Sequence, residues 1–222
     1  VQIIAAALMA VLPMQVWYAQ EGRMYAMLEF LALAALWTGL TRKWFYFFLA
    51  ALAMLYTQNY GAFYLAVICI VLVVMDFKSF TEIATAALTA GLLYSPWVFV
   101  IVSQMSEIGG RYWIVDASAG AVLKTIYQQF WSSSMLRPGI VGSYVVTFVV
   151  LILGTIAATR AGRWQVLALA YLPFAIAWIV SMLWQPVLLF RALIGTAPFL
   201  YLIAAWPWSR YDAVRLLDRR TI

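Results

Sequence analysis

The chain is 222 residues long, 67% hydrophobic and only 10% charged, with a formal net charge of +6 and no histidine. A soluble domain carries about 45–50% apolar and about 25% charged residues, so a water-soluble fold of this length could not hide so much apolar surface, and lipid has to be its main solvent. Without histidine, and with the single Cys69 set in an apolar stretch where it reads as a packing residue, the segment excludes disulfides, Cys/His zinc sites and His-dependent nucleophiles.

The first apolar run, VQIIAAALMAVL, begins at Val1 without a Met, so we read the segment as the inside of a longer protein. A bilayer core of about 30 Å needs about 20 apolar residues as a helix. Spans are expected at 1–14, 24–40, 44–57, 60–75, 81–104, 141–158, 164–183 and 192–207. Together they make an all-α integral membrane domain over 1–207, with about eight transmembrane or re-entrant helices. The runs 44–57 and 60–75 are short enough to form a re-entrant hairpin. Polar breaks at 20–23, 41–43, 58–61, 76–79, 159–163 and 185–186 separate the spans, and one long break covers 105–140.

Inside that long break, Val122, Leu123, Ile126, Tyr127 and Phe130 recur at helical spacing, with Lys124, Gln128 and Gln129 on the other side. This predicts an amphipathic helix lying at the outer interface, capped by Asp116 or Ser118.

The basic residues orient the spans. With 41–43, 76–79, 159–163 and a basic tail at 208–222 on one side, that side holds nine of the 14 Lys and Arg residues, including Arg42, Lys43, Lys78, Arg160 and Arg163. The other side holds Arg23, Arg111, Lys124, Arg137 and Arg191. The richer side is expected to be cytoplasmic, in the inner (plasma) membrane of a bacterial-type cell. Cations dispersed in this way serve orientation and argue against a nucleic-acid partner. Tryptophans such as Trp17, Trp44, Trp97, Trp131, Trp164, Trp184, Trp206 and Trp208 mark span ends or loops, where amphipathic rings prefer the headgroup level.

Lys124 and Arg137 fit loop solvation and headgroup contact. Arg23 and Arg191 each stand at the mouth of an apolar span, and the rigid guanidinium fork suits a phosphate or pyrophosphate at the membrane edge. Glu21, in YAQEGRMY, either meets a metal, sugar hydroxyl or acceptor proton, or simply pairs with Arg23. Glu29 stands inside span 24–40, where a charge costs about 2.5–3.5 kcal/mol on insertion scales. It either shares a helical face with Glu21 and Tyr25, or is protonated and hydrogen-bonded to a neighbouring helix. Gln58, Asn59 and Tyr60 interrupt two apolar runs, and their polar groups need a turn or a substrate sugar as partner. Pro96, Pro173 and Pro198 fall in or near span interiors, where kinks open cavities.

Taken in order, VLPMQVWYAQEGRMYAM, WFYFFLAALAMLYTQNYGAFYLA, LLYSPWVFVIVSQMSEIGGRYWIVDAS and LLFRALIGTAPFLYLIAA resemble elements of the GT-C class, in particular dolichyl-phosphate-mannose-protein mannosyltransferase-like enzymes. The resemblance covers about residues 5–207. It implies an extracytoplasmic cavity in which a sugar passes, with inversion, from a polyprenyl-phosphate carrier to a hydroxyl of a lipid, glycan or protein acceptor. Under it Glu21 corresponds to an auxiliary catalytic acid, and Arg23 and Arg191 bind the donor phosphate. Tyr25, Gln58, Asn59, Tyr60 and Trp113 line the substrate cavity. A divalent metal is compatible with this family, though no cofactor is required by the residues. Gln58 and Asn59 stand where the family has a histidine element, and Ala192 where a tyrosine usually follows the arginine. The family's principal aspartate belongs to a first outer loop that would precede Val1, so this segment alone is expected to be inactive. A multi-pass transporter or lipid flippase is the competing expectation; it would use Glu29 as a proton-linked carboxylate but predicts internal repeats that the sequence lacks. A noncatalytic membrane scaffold is a third.

Overall fold

A computed structural model describes residues 1–108, 118–131, 141–184 and 186–208, the side chains of 105–108 excepted. Every regular element among them is helical. Helices α1 (Gln2–Val11) and α2 (Pro13–Gln20) form one bent pair, turning through 55°. The bend follows from Pro13: a residue before proline is pushed out of the helical region, and Leu12 is extended at ψ 138°. The run expected as one span over 1–14 therefore breaks at residue 12.

Helices α3 (Tyr25–Leu40), α4 (Trp44–Thr57) and α5 (Gly61–Met75) follow the expected boundaries closely. At 14–16 residues they are about 21–24 Å long, shorter than a full hydrocarbon core. Helix α6 (Phe80–Ile108) has 29 residues and continues well beyond the α4–α5 turn. Its Pro96 supplies no N–H to the Leu92 carbonyl, and Ser95 Oγ donates to that oxygen at 2.7 Å. Tyr56 Oη on α4 donates to the next carbonyl, Leu93, at 2.8 Å. The proline is thus accommodated without leaving polar backbone in an apolar setting. Helices α8 (Val141–Arg160) and α9 (Trp164–Leu183) have 20 residues each, and a 3-10 segment, Phe190–Thr196, runs into α10 (Ala197–Ala205) and a short 3-10 turn, Trp206–Trp208, where one span over 192–207 was expected.

By length and composition, four helical stretches among the described residues could cross a membrane: Phe77–Gln104, Val141–Arg160, Trp164–Leu183 and Phe190–Trp208, with the α1–α2 pair as a fifth if it counts as one span. The last stretch is the most interior. Leu200, Tyr201 and Ile203 are fully buried, and a Cβ on Gly154 of α8 would collide with the Ile203 carbonyl. Exposed Leu88, Leu92, Phe99, Val146 and Ile152 face outward from α6 and α8, the inverse of a soluble protein and the pattern expected where lipid is the solvent.

The turns gather at two ends. Arg42 Nη2 meets Asp76 at 2.7 Å, joining the α3–α4 turn to the α5–α6 turn. Tyr60, leading into α5, donates to the Val187 carbonyl just beyond α9, and the two helices pack together. They therefore run antiparallel, which puts the 159–163 turn at the Arg42 end. This is the grouping that the basic residues led us to expect; the tail from 209 onward lies outside the described residues.

Two of these basic turns share one backbone form. Lys43 N–H bonds to Thr38 and Arg42 N–H to Gly39, as Arg163 N–H bonds to Ala158 and Gly162 N–H to Thr159. This paired helix ending puts one residue in the left-handed region, normally glycine. Gly162 fills it at φ 68°, but Arg42 fills it at φ 55°, a strain of roughly 1–2 kcal/mol for a residue with a Cβ.

A helix is present where one was expected, α7 (Ala119–Trp131), and Ser118 Oγ accepts the Ala121 N–H at 3.1 Å as its cap; Asp116 lies outside the described residues. Its burial corrects the expected faces. Gln128 and Gln129, assigned to the polar side, are 6% and 0% exposed, whereas Leu123, assigned to the apolar side, is 51% exposed. Residues 125–130 are all buried. The helix packs against α2, α8 and the 3-10 segment, and hydrogen-bonding demand there outweighs amphipathic spacing.

Candidate functional site

The end opposite the Arg42 turn holds most of the polar residues singled out from the sequence. Its base is the 3-10 segment Phe190–Thr196, whose backbone groups lack full helical pairing and are met by side chains. Gln129 Nε2 on α7 donates to the Phe190 carbonyl at 2.7 Å. Tyr64 Oη on α5 donates to the Ala192 carbonyl at 2.8 Å and accepts the Gly195 N–H at 3.1 Å. Glycine is required at 195, where a Cβ would come within 2.9 Å of the Tyr64 ring. Tyr201 Oη in turn donates to the Gln129 carbonyl at 2.5 Å. Buried hydrogen bonds to a short irregular segment hold it in one geometry, and Arg191 is carried on that segment.

Arg191 is half-buried, with its guanidinium carbon 5.7 Å from the centre of the Tyr25 ring. That ring meets Tyr18 edge-on at 5.3 Å, and Tyr18 meets Phe190 at 6.3 Å. Met14, Tyr18, Tyr25, Ala192 and Ile194 form a small buried cluster, with Tyr60 and Phe190 packed on it. The Glu21–Arg23 pair stands beside this cluster. Arg23 Nε is 3.0 Å from Glu21 Oε1, with side-chain exposures of 53% and 26%. Glu21, Arg23 and Arg191 all act electrostatically on Tyr18. Arg191 thus lies over the Tyr25 ring with the Glu21–Arg23 pair close by, and the planar guanidinium fork is suited to an oxyanion.

The structure sorts the remaining expectations. Glu21 follows α2 in an extended conformation and does not share a helical face with Tyr25 and Glu29; the break at 21–24 interrupts the helical spacing. Its local pairing with Arg23 is the arrangement present. Glu29 is 6% exposed and accepts a hydrogen bond from Gln15 Nε2 on α2 at 3.0 Å, the interhelical contact that the second alternative called for. Gln58 Oε1 accepts the Tyr60 N–H at 2.8 Å, a turn contact, and Asn59 Oδ1 accepts from Tyr94 Oη on α6 at 2.9 Å. Tyr60 joins the Arg191 cluster, while Asn59 belongs to a separate group with Tyr56 and Tyr94. Trp113, Arg111 and Arg137 lie outside the described residues. Among the described residues, no three of His, Cys, Asp and Glu are close enough to hold a metal.

Gln15, Tyr18, Tyr64 and Phe190 were not singled out from the sequence, and Gln129 only as part of a polar helix face. A signal for Gln15 existed: a lone amide in an apolar helix needs a polar partner, and Glu29 was the nearest residue with the same need.

No family model matches the chain, and no curated protein and no solved structure matches it.

Proposed function

We propose that this segment belongs to a membrane glycosyltransferase that moves a sugar from a polyprenyl-phosphate donor to an acceptor hydroxyl on the extracytoplasmic side. The observation that carries the reading is the half-buried Arg191 stacked on Tyr25 beside the Glu21–Arg23 pair, at the end of the bundle away from the basic turns. In such a transfer the bond from the sugar's anomeric carbon to the carrier phosphate breaks, and the acceptor oxygen bonds to that carbon from the opposite face. The acceptor's proton goes to a base and the electron pair leaves with the phosphate. Arg191 neutralises the leaving phosphate, and charge stabilisation of this kind is often the largest contribution to rate. Arg23 supplies a second cation, and Glu21 orients sugar or acceptor. The resemblance gives the role of principal base to an aspartate of the family's first outer loop.

The test is an assay of the full-length protein with polyprenyl-phosphate sugars, comparing wild type with Glu21→Ala and Arg191→Ala. Loss of turnover in Arg191→Ala supports the reading; unchanged turnover in both variants removes the site assignment.

One observation favours a second reading, a transporter or lipid flippase: Glu29 is a buried carboxylate inside an apolar helix, the kind of group that carries protons in transport. Uptake or lipid translocation in proteoliposomes without covalent sugar transfer would establish it instead.

A further inference from the structure

The opposite end of the bundle carries a second feature. Between the end of α3, the end of α5 and the start of α6 lies a cavity of about 170 Å³, walled by Leu40, Leu72, Met75 and Ile83 with Trp44 at its rim and Arg42 and Asp76 at its mouth. At about 30 Å³ for a water-sized group, it has room for some five or six methylenes. Gly39 keeps α3 tight against α5 here, since a Cβ on it would strike Leu72. A shallower groove of about 390 Å³ between α4 and α6 reaches Trp44 from the other side, lined by Phe45, Phe48 and Ala86 and bordered by Glu82.

We propose that this cavity seats one anionic phospholipid, its phosphate on Arg42 and an acyl chain against Leu72, Met75 and Ile83. Arg42 and Asp76 line the mouth, and the turns that carry them add Lys43 and Lys78, so this end holds three cations against Asp76 and the nearby Glu82; both lysines are exposed and the Arg42 side chain is 51% exposed. Basic pockets between membrane helices at the cation-rich end are suited to anionic headgroups. Arginine offers five N–H donors in a planar fork, so contact with Asp76 through Nη2 leaves donors for a second oxyanion. The backbone supports the same conclusion. The matching turn at Gly162 uses glycine, yet here an arginine occupies the left-handed position, and the strain is retained where its side chain reaches the cavity mouth. Apolar walls distinguish a lipid from a free anion, which would have no use for them.

The test is native mass spectrometry of the full-length protein in detergent, titrated with phosphatidylglycerol or phosphatidylcholine, with inorganic phosphate as competitor. One phosphatidylglycerol should bind in preference to phosphatidylcholine and resist displacement by phosphate. Arg42→Gly relieves the left-handed strain, so it should fold at least as well as wild type by thermal unfolding, while binding phosphatidylglycerol about fivefold more weakly, the factor one cation near an anionic surface contributes. Asp76→Asn removes a charge that competes with the phosphate and should tighten binding, which a purely structural ion pair would not do. Equal binding of both lipids, displacement by inorganic phosphate, unchanged binding in Arg42→Gly, or no tightening in Asp76→Asn would each overturn the proposal. None of these outcomes depends on glycosyltransferase activity.

Discussion

Gln15 on α2 and Glu29 on α3 are both buried and share one hydrogen bond, Nε2 to Oε1 at 3.0 Å, which ties the bent first helix pair to the helix that carries Tyr25. Through it the Glu21–Arg23 break between them is held beside Arg191.

Removing Gln15 takes this donor from the buried Glu29 carboxyl, and removing Glu29 takes the acceptor from Gln15, which retains Tyr201 beside it. Gln15→Leu and Glu29→Leu should each lower stability by about 1–3 kcal/mol. The double variant should lose less than the sum, with a coupling of about 0.6 to 1.7 kcal/mol, the range for hydrogen bonds between membrane helices. Thermal unfolding of the four proteins in detergent measures the cycle. Strict additivity would mean that the pair does not interact.

Gly154 allows α8 to lie on α10, because any Cβ there meets the Ile203 carbonyl, a backbone atom that a rotamer change cannot move. Gly154→Ala should therefore destabilise by roughly 1–3 kcal/mol as an overpacked contact. Gly91→Ala and Gly142→Ala, on helices with nothing within 4 Å of the added carbon, should be neutral or slightly stabilising. Melting temperatures of the three variants check the contrast.

Asp76 is held below the usual carboxylate range, first by the hydroxyl of Ser79 and then by the Arg42 guanidinium. A carboxyl whose pKa falls on folding adds stability above its unfolded value of about 3.9, and that stability is lost as pH drops through the lowered folded value. Asp76→Asn should therefore melt below wild type at pH 7, and the gap should close in acid. A gap that is constant with pH would assign the effect to something other than the charge. Ser79→Ala should shrink it at pH 7.

Tyr25 meets Arg191 through its ring face, an interaction worth about 0.5–2 kcal/mol, according to how far it is desolvated. Under the proposed function, Tyr25→Phe should keep polyprenyl-phosphate binding close to wild type in the full-length protein. Tyr25→Leu should weaken it several-fold by releasing the guanidinium from its orientation. Equal binding by the two variants would show that the ring does not position Arg191.

Much of the architecture was legible before any coordinates. Long apolar runs broken by a few polar residues set α3, α4, α5, α8 and α9 almost to the residue, because in lipid a helix continues until the chain reaches polar surroundings or a residue such as Gly162 that ends it. The grouping of the 41–43, 76–79 and 159–163 turns was likewise legible, since alternating helices return basic breaks to one end. Arg23, Tyr25, Tyr60 and Arg191 were also recognisable as residues needing partners. Only the tertiary structure decided which partners those were. Tyr60 turned toward Val187 while Asn59 turned to Tyr94, and Gln129 of an apparently amphipathic helix was drawn inward by the Phe190 carbonyl. Periodicity records how one helix divides its surface between two solvents. It carries no record of an irregular segment such as 190–196, whose unpaired carbonyls are met from helices over 60 residues away in the chain.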